Sequence, residues 1–209
     1  MRIVKPGFEV LSPLDGMEIL RHLEKCGRVC YKSEERITED SCIAFVRGIV
    51  KRGHEAVIEH ASVTVKLTVD RGVSHEIVRH RMASYAQEST RYCNYAKDKF
   101  GEEITVIEPC FFEKGTEQWE EWEKGCEAAE QSYFALLAAG ATPERARTVL
   151  PNSLKTELVM TANMREWRHF FKLRTDQPAH PQMREVACVL LAHFKEQIPV
   201  LFDDIEVET

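Results

Sequence analysis

Two hydrophobic periods run along this chain, and they predict most of its elements. In "ASVTVKLTVD", Val63, Val65, Leu67 and Val69 alternate strictly with Ser62, Thr64, Lys66, Thr68 and Asp70, the pattern of a half-buried strand. "ITVIEP", from Ile104 to Pro109, reads as a second strand. Elsewhere the period is helical. Met17, Leu20, Leu23 and Cys26 mark a first helix with Gly27 as its expected stop, and "TEDSCIAFVRGIVKRG" a second, capped by Thr38 and followed by Gly53. Asp70-Arg71-Gly72 reads as a turn and Ser74 as the cap of a helix over "HEIVRHRMASY". On that helix Val78, Met82 and Tyr85 form a packing stripe, while Glu76, Arg79, His80 and Ala83 fall on another face. Beyond Tyr85 the period dissolves, so "AQESTRYCNY" reads as a loop.

The second half is more helical still. "TEQWEEWEKGCEAAEQSYFALLAAG" predicts a long amphipathic helix with Trp119, Trp122, Cys126, Ala129, Tyr133 and Leu137 as its buried stripe. Thr142 and Pro143 suit the cap and first position of another. Asn163 with Glu166 three residues on has capping-box form, and the helix behind it is expected to expose Trp167, Phe170 and Phe171. A last helix after Pro181 buries Met183, Val186, Ala187, Leu190, Leu191, Phe194 and Ile198. Helices dominate around a small sheet, an α+β (mixed α/β) pattern without clean βαβ units. With no repeat or Gly/Ser linker, the expectation is a single compact domain over residues 1–209.

Composition narrows the function classes. The 209 residues are 44% hydrophobic and 30% charged, with formal net charge -6. An acidic chain with only small basic sets does not suit a nucleic-acid polymer. No apolar run nears the length of a membrane span, and "MRIVKPGFEVLSP" lacks a signal peptide's apolar core. The seven cysteines are odd in number and form no CxxC pair, so a reduced, cytoplasmic protein is expected.

Against this background "RHRMASYAQESTRYCNY", Arg79 to Tyr95, concentrates Arg79, His80, Arg81, Ser84, Gln87, Ser89 and Arg91. It is either a solvated basic helix end or a set of fork-shaped donors and hydroxyls that hold phosphate and carbonyl oxygens. "GHEAVIEH" places His54, Glu55, Glu59 and His60 before a strand without HExxH spacing, a pocket-lining loop more readily than a metal site. Arg147 in "ARTVLP" and the set Asn163, Arg165, His169 and Arg174 in "NMREWRHFFKLR" would, taken singly, be surface pairings.

Taken together, in this order and at these distances, the four segments resemble the motifs of the flavin-dependent thymidylate synthases, from about Gly27 to Arg184. The resemblance implies an FAD enzyme that converts deoxyuridine 5'-monophosphate (dUMP) to thymidylate with 5,10-methylenetetrahydrofolate and NADPH. It also implies a homotetramer with shared sites and no enzyme cysteine bound to uracil. It would assign flavin contacts to His54, Glu59, Arg79, His80, Arg81, Gln87, Asn163, Arg165 and His169. It would assign dUMP contacts to Glu76, Arg79, Gln87, Glu88, Ser89, Thr90, Arg91 and Arg174, with Arg147 reaching in from another subunit. Arg174 would lie beneath the uracil as the catalytic cation, and no metal is implied. Ala86 and Gln87 stand where many relatives carry Asn-Glu, so Gln87 offers an amide in place of a carboxylate. Two rivals remain at this stage: another flavoprotein oxidoreductase, and a nucleotide- or RNA-binding module without catalysis.

Overall fold

The computed structural model describes residues 1–97 and 100–207. In chain order they form β1 (Arg2–Val4), β2 (Gly7–Val10), α1 (Gly16–Val29), α2 (Ser41–Lys51), β3 (Ser62–Asp70), α3 (Arg71–Ile77), β4 (Ala83–Gln87), β5 (Thr105–Ile107), α4 (Glu117–Ala138), α5 (Pro143–Ala146), β6 (Lys155–Asn163), α6 (Met164–Arg174), α7 (Pro181–Gln197) and α8 (Pro199–Phe202). A four-stranded sheet runs β2-β3-β6-β4, and β1 pairs in parallel with β5. Leu11 N–H donates to the Thr64 carbonyl while Lys66 meets Glu9, so β2 and β3 are antiparallel. Thr64 and Thr161 join hydroxyls at 2.9 Å while Arg71 N–H reaches the Leu154 carbonyl, so β3 and β6 are too. The mixed helix-and-sheet architecture expected from the periodicity is what the chain adopts.

The residues group into two compact units. One holds Met1–Gly7, Leu67–Arg79 and Ala86–Val159; the other holds Phe8–Lys66, His80–Tyr85 and Met160–Thr209. Neither is a continuous stretch, because β3 and β6 each run from one unit into the other. The first unit closes around Tyr95, Ile104, Val106, Cys126, Tyr133, Ala146 and Leu154. In the second, Trp167, Phe170, Phe171, Phe194 and Phe202 are fully buried and meet edge-to-face, tilted or stacked. Each such ring contributes about 1.5–3 kcal/mol on leaving water, so α6 and α7 make a rigid platform. Among the described residues, no helix is long and apolar enough to cross a membrane.

Several local expectations are overturned, each for a tertiary reason. The helix after β3 is capped by Asp70, whose Oδ1 accepts Val73 N–H at 2.6 Å; Ser74 lies inside it and donates to the Arg71 carbonyl. It ends at Ile77, because residues 83–87 join the sheet as β4 and sheet pairing outweighs helical spacing. Met82, expected in a packing stripe, is 73% exposed. Trp167, Phe170 and Phe171, expected outside, are inside, where Trp167 Nε1 donates to the Val63 carbonyl at 3.1 Å. Thr38 does not cap α2; its N–H donates to Ser41 Oγ, which holds residues 38–40 as a turn ahead of the helix. Gly27 does not stop α1: it lies inside, where a Cβ would stand 2.6 Å from the Phe45 ring. Strand β6 was missed, although Thr156, Leu158, Met160 and Ala162 alternate inward as in β3.

Candidate functional site

In the second unit, α6 sets the geometry. Asn163 caps it, its Oδ1 accepting Glu166 N–H at 2.9 Å, as the sequence suggested. The Glu166 side chain does not return to the cap. Its Oε1 meets His80 Nδ1 at 3.0 Å, and Arg174 Nε donates to His80 Nε2 at 3.0 Å from the far end of the same helix. His80 is 3% exposed, wedged edge-on to Phe170 and beside His169.

Partner chemistry decides the state of this imidazole. Arg174 only donates, so Nε2 must accept; the proton therefore sits on Nδ1 and is given to the Glu166 carboxylate. Burial holds the His80 pKa below its ordinary value, against the opposing pull of Glu166 and with Arg174 adding to the depression. The ring is neutral, and it fixes the plane of the Arg174 guanidinium. Tyr85 donates its hydroxyl to the His80 carbonyl at 2.7 Å, and burial, then Glu166, pushes the phenol up to about 12. His80, Glu166 and His169 bring ligand atoms within 4.8 Å of one another, as a metal site would. Both ring nitrogens of His80 are already spent on protein partners, however.

Beside this network lies a cavity of about 380 Å³ lined by Glu55, Glu59, Met82, Asn163, Arg165, Glu166, Arg168, His169 and Lys172. Arg165 reaches Glu59 at 2.6 Å and Glu55 at 3.4 Å, and these carboxylates raise its pKa. Arg168 is buried and forms a fork with Asp204 at 2.7 Å on both arms, besides donating to the Leu201 carbonyl. That pairing depresses the Asp204 pKa, and it makes Arg168 a wall of the cavity with little freedom. His54 is exposed, its Nδ1 3.3 Å from the Tyr31 hydroxyl. Arg81 is exposed as well.

The first unit holds the other candidates. Gln87 points inward from β4, its amide donating to Ser74 Oγ at 2.9 Å and Thr156 Oγ1 at 3.3 Å. Glu88 turns to the interior too, accepting from Tyr95 at 2.9 Å and from Lys155 at 3.1 Å. Ser89 begins a turn whose carbonyl accepts the N–H groups of Tyr92 and Cys93. Thr90 is buried and accepts from Arg147 Nη1 at 3.2 Å. Arg91 leans over Tyr92 and lies 3.8 Å from Glu144. Glu76 is half-buried and Arg79 exposed. Cys93 lines a cavity of about 360 Å³ with Glu88, Tyr95 and Lys155.

Local pattern marks Glu166 only as a cap and Tyr85 only as packing, and it carries no functional signal at Lys172 or Arg168. Glu166 at the third position of its helix carried a signal, but only the fold brings His80 to it.

Comparison with known proteins agrees with these motifs. The family model described as "Thymidylate synthase complementing protein" matches residues 14–200. A flavin-dependent thymidylate synthase of Geobacter sulfurreducens is 35% identical over 184 residues, covering 85% of this chain and 78% of that protein. Another, from Corynebacterium aurimucosum, is 33% identical over 205 residues, covering 90% and 80%. Among solved structures, the UMP/dUMP methylase PolB from Streptomyces cacaoi, bound with 5-Br dUMP, shares the fold. Its TM-score is 0.79 at 22% identity, over 97% of this chain and 96% of that one.

Proposed function

The chain belongs to the thymidylate synthase complementing protein family, and on that footing we propose that it methylates dUMP to thymidylate as a flavin-dependent enzyme. The carbon comes from 5,10-methylenetetrahydrofolate and the reducing equivalents from NADPH. The assembly is a homotetramer with sites shared between chains. The enzyme class rests on family membership.

The observation that carries the reading is the Glu166–His80–Arg174 chain. C5 of uracil is a poor nucleophile, and its attack on a one-carbon electrophile gathers negative charge on the pyrimidine carbonyls. A preorganised cation there is worth about 3 kcal/mol. Arg174, its plane set by a neutral His80, meets that need without reorganising. The Nδ1 proton of His80 stays on His80, since Glu166 holds it as an acceptor, and Tyr85 fixes the backbone behind the ring. No residue in this scheme forms a bond to the uracil, so no cysteine nucleophile is required.

The cavity beside α6 fits the flavin ring of FAD by its donor set. The Asn163 amide, Arg165, His169 and Lys172 ring a space that the Met82 thioether also lines, which suits a flat apolar ring edged with carbonyls. Bound there, the flavin supplies the hydride that completes the methyl group. Arg165 is held in place by Glu59 and Glu55, so that segment orients the ring. The nucleotide phosphate falls to Ser89, Thr90, Arg91 and Arg147.

The test is direct. Purified protein should show flavin absorbance in the visible, oxidise NADPH only when dUMP and methylenetetrahydrofolate are present, and yield thymidylate. NADPH oxidation indifferent to dUMP would point to a different oxidoreductase. Absence of flavin binding at any concentration would return the chain to a non-catalytic module.

A further inference from the structure

In the second unit a cavity of about 340 Å³ opens beside the C-terminal ends of α1 and α2. Arg28, Tyr31, Lys32, Arg36 and Arg52 line it, with Glu35 as the carboxylate among its described lining residues. In a chain of net charge -6 this is a local excess of positive charge. Two of the cations are occupied. Arg28 forks onto Glu24 at 3.0 and 2.7 Å and lies 4.6 Å over the Phe45 ring, and Arg36 is 3.5 Å from Glu35. The Lys32 ammonium and the Arg52 guanidinium have no ion-pair partner among the described residues. Lys32 is held at φ 45, in the left-handed turn that ends α1, where the Ser33 N–H returns to the Arg28 carbonyl at 3.3 Å. Glycine fits that position at least cost, so a lysine there marks a side chain with a use. The Tyr31 hydroxyl lies 3.3 Å from His54 Nδ1, and the next residue, Glu55, lines the cavity assigned to the flavin.

One basic residue at each helix end would serve the helix dipole. That role does not require them to converge on one open space beside Tyr31, which is 55% exposed. The space calls for an anion, and the backbone limits its kind. Helices α1 and α2 both present C-terminal ends there, which offer carbonyls and not N–H groups. A compact phosphate dianion, which is best held by converging backbone N–H groups, is ill served. Separate carboxylates on a flexible chain fit better, since each takes one cation at the rim. We propose that the cavity receives the oligo-γ-glutamyl tail of the reduced-folate co-substrate. Lys32 and Arg52 each pair a tail carboxylate, and Tyr31 packs along the chain as it leaves the flavin. The proposal rests on the folate reading above and adds two cations that the sequence motifs left out. The phosphates of NADPH and of FAD are the competing anions.

Thymidylate formation is measured with monoglutamyl and with pentaglutamyl methylenetetrahydrofolate in wild type, Lys32→Gly, Arg52→Gln and the double variant. Lys124→Gln, at an exposed ion pair of the other unit, is the control. Lys32→Gly keeps the turn that ends α1 and removes only the charge. Each exposed ion pair contributes about two- to fivefold. The wild-type KM for the pentaglutamate should therefore lie about 4- to 25-fold below that for the monoglutamate. In the double variant the two KM values should agree within about twofold. Its kcat, monoglutamate KM, NADPH KM and flavin content should be unchanged, and Lys124→Gln should match wild type. Raising NaCl from about 50 to about 500 mM should shrink the wild-type preference and leave the double variant unmoved. Equal KM values in wild type, or a preference intact in the double variant, overturns the proposal. So does a raised NADPH KM or a loss of flavin with the tail preference intact, which would give the cavity to a phosphate. A wild-type protein that makes no thymidylate from the monoglutamate fails at the parent reading, a separate and visible outcome.

Discussion

Replacing Arg174 with methionine keeps an unbranched, flexible stem and removes every side-chain N–H. In the resting protein, His80 Nε2 loses the donor now 3.0 Å away, and the ring is 3% exposed. A buried acceptor left unsatisfied costs about 1–3 kcal/mol, which for a chain of this size lowers the melting temperature by about 2–12 °C. In the transition state the loss is larger. Removing one preorganised donor from developing charge costs about 2.7–4 kcal/mol, or about 10²- to 10³-fold in turnover. Thymidylate formation at saturating dUMP, thermal melting and flavin absorbance, measured on one preparation, separate these effects. A variant that keeps its flavin, melts within the stated interval and still turns over within about tenfold of wild type would refute the role given to Arg174.

Three further outcomes test the proposed function. Cys93→Ala should retain turnover within about tenfold, about 1.4 kcal/mol of barrier; a folded variant that binds flavin and dUMP yet makes no thymidylate would require a cysteine nucleophile. If sites are shared between subunits as proposed, mixing Arg147→Ala with Arg79→Ala protein should restore some activity, and none after verified subunit exchange would mean sites confined to one chain. The third concerns pH. The folded state holds His80 below its ordinary value of about 6.5, so beneath that pH the unfolded chain binds the extra proton first, and stability rises with pH across the window. The contribution of neutral His80 is thus complete above about pH 6.5 and drains away below it. Rate should hold through that window and fall only at lower pH, where the folded ring takes a proton on Nε2 that would face the Arg174 N–H. Melting profiles from pH 5 to 8 should show the stability step in wild type and not in His80→Gln.

The sequence alone determined those features whose cause is local. β3 was legible because strict alternation from Ser62 to Asp70 admits only one face inward, and Val63, Val65, Leu67 and Val69 are buried as that requires. The Asn163 cap and the buried face of α7 were legible for the same reason: a cap bond spans three residues, and a stripe repeats every three or four. The motifs also pointed to a phosphate-and-carbonyl chemistry, since arginines and hydroxyls at short spacing are costly unless used. What required the fold were the partners distant in sequence. His80 meets Glu166 across 86 positions and Arg174 across 94, and no local rule states which ring nitrogen each would take. Helical spacing carried the reading past Ile77 into residues that β4 claims, because pairing with β6 supplies hydrogen bonds the helix would have to give up. The helix bearing Trp167 turned its aromatic face inward because other buried rings, from Phe194 and Phe202, wait there. And the cavity that gathers Lys32 and Arg52 became visible only once α1 and α2 had packed together, since a cation without a partner is a property of what surrounds a residue and not of the residue itself.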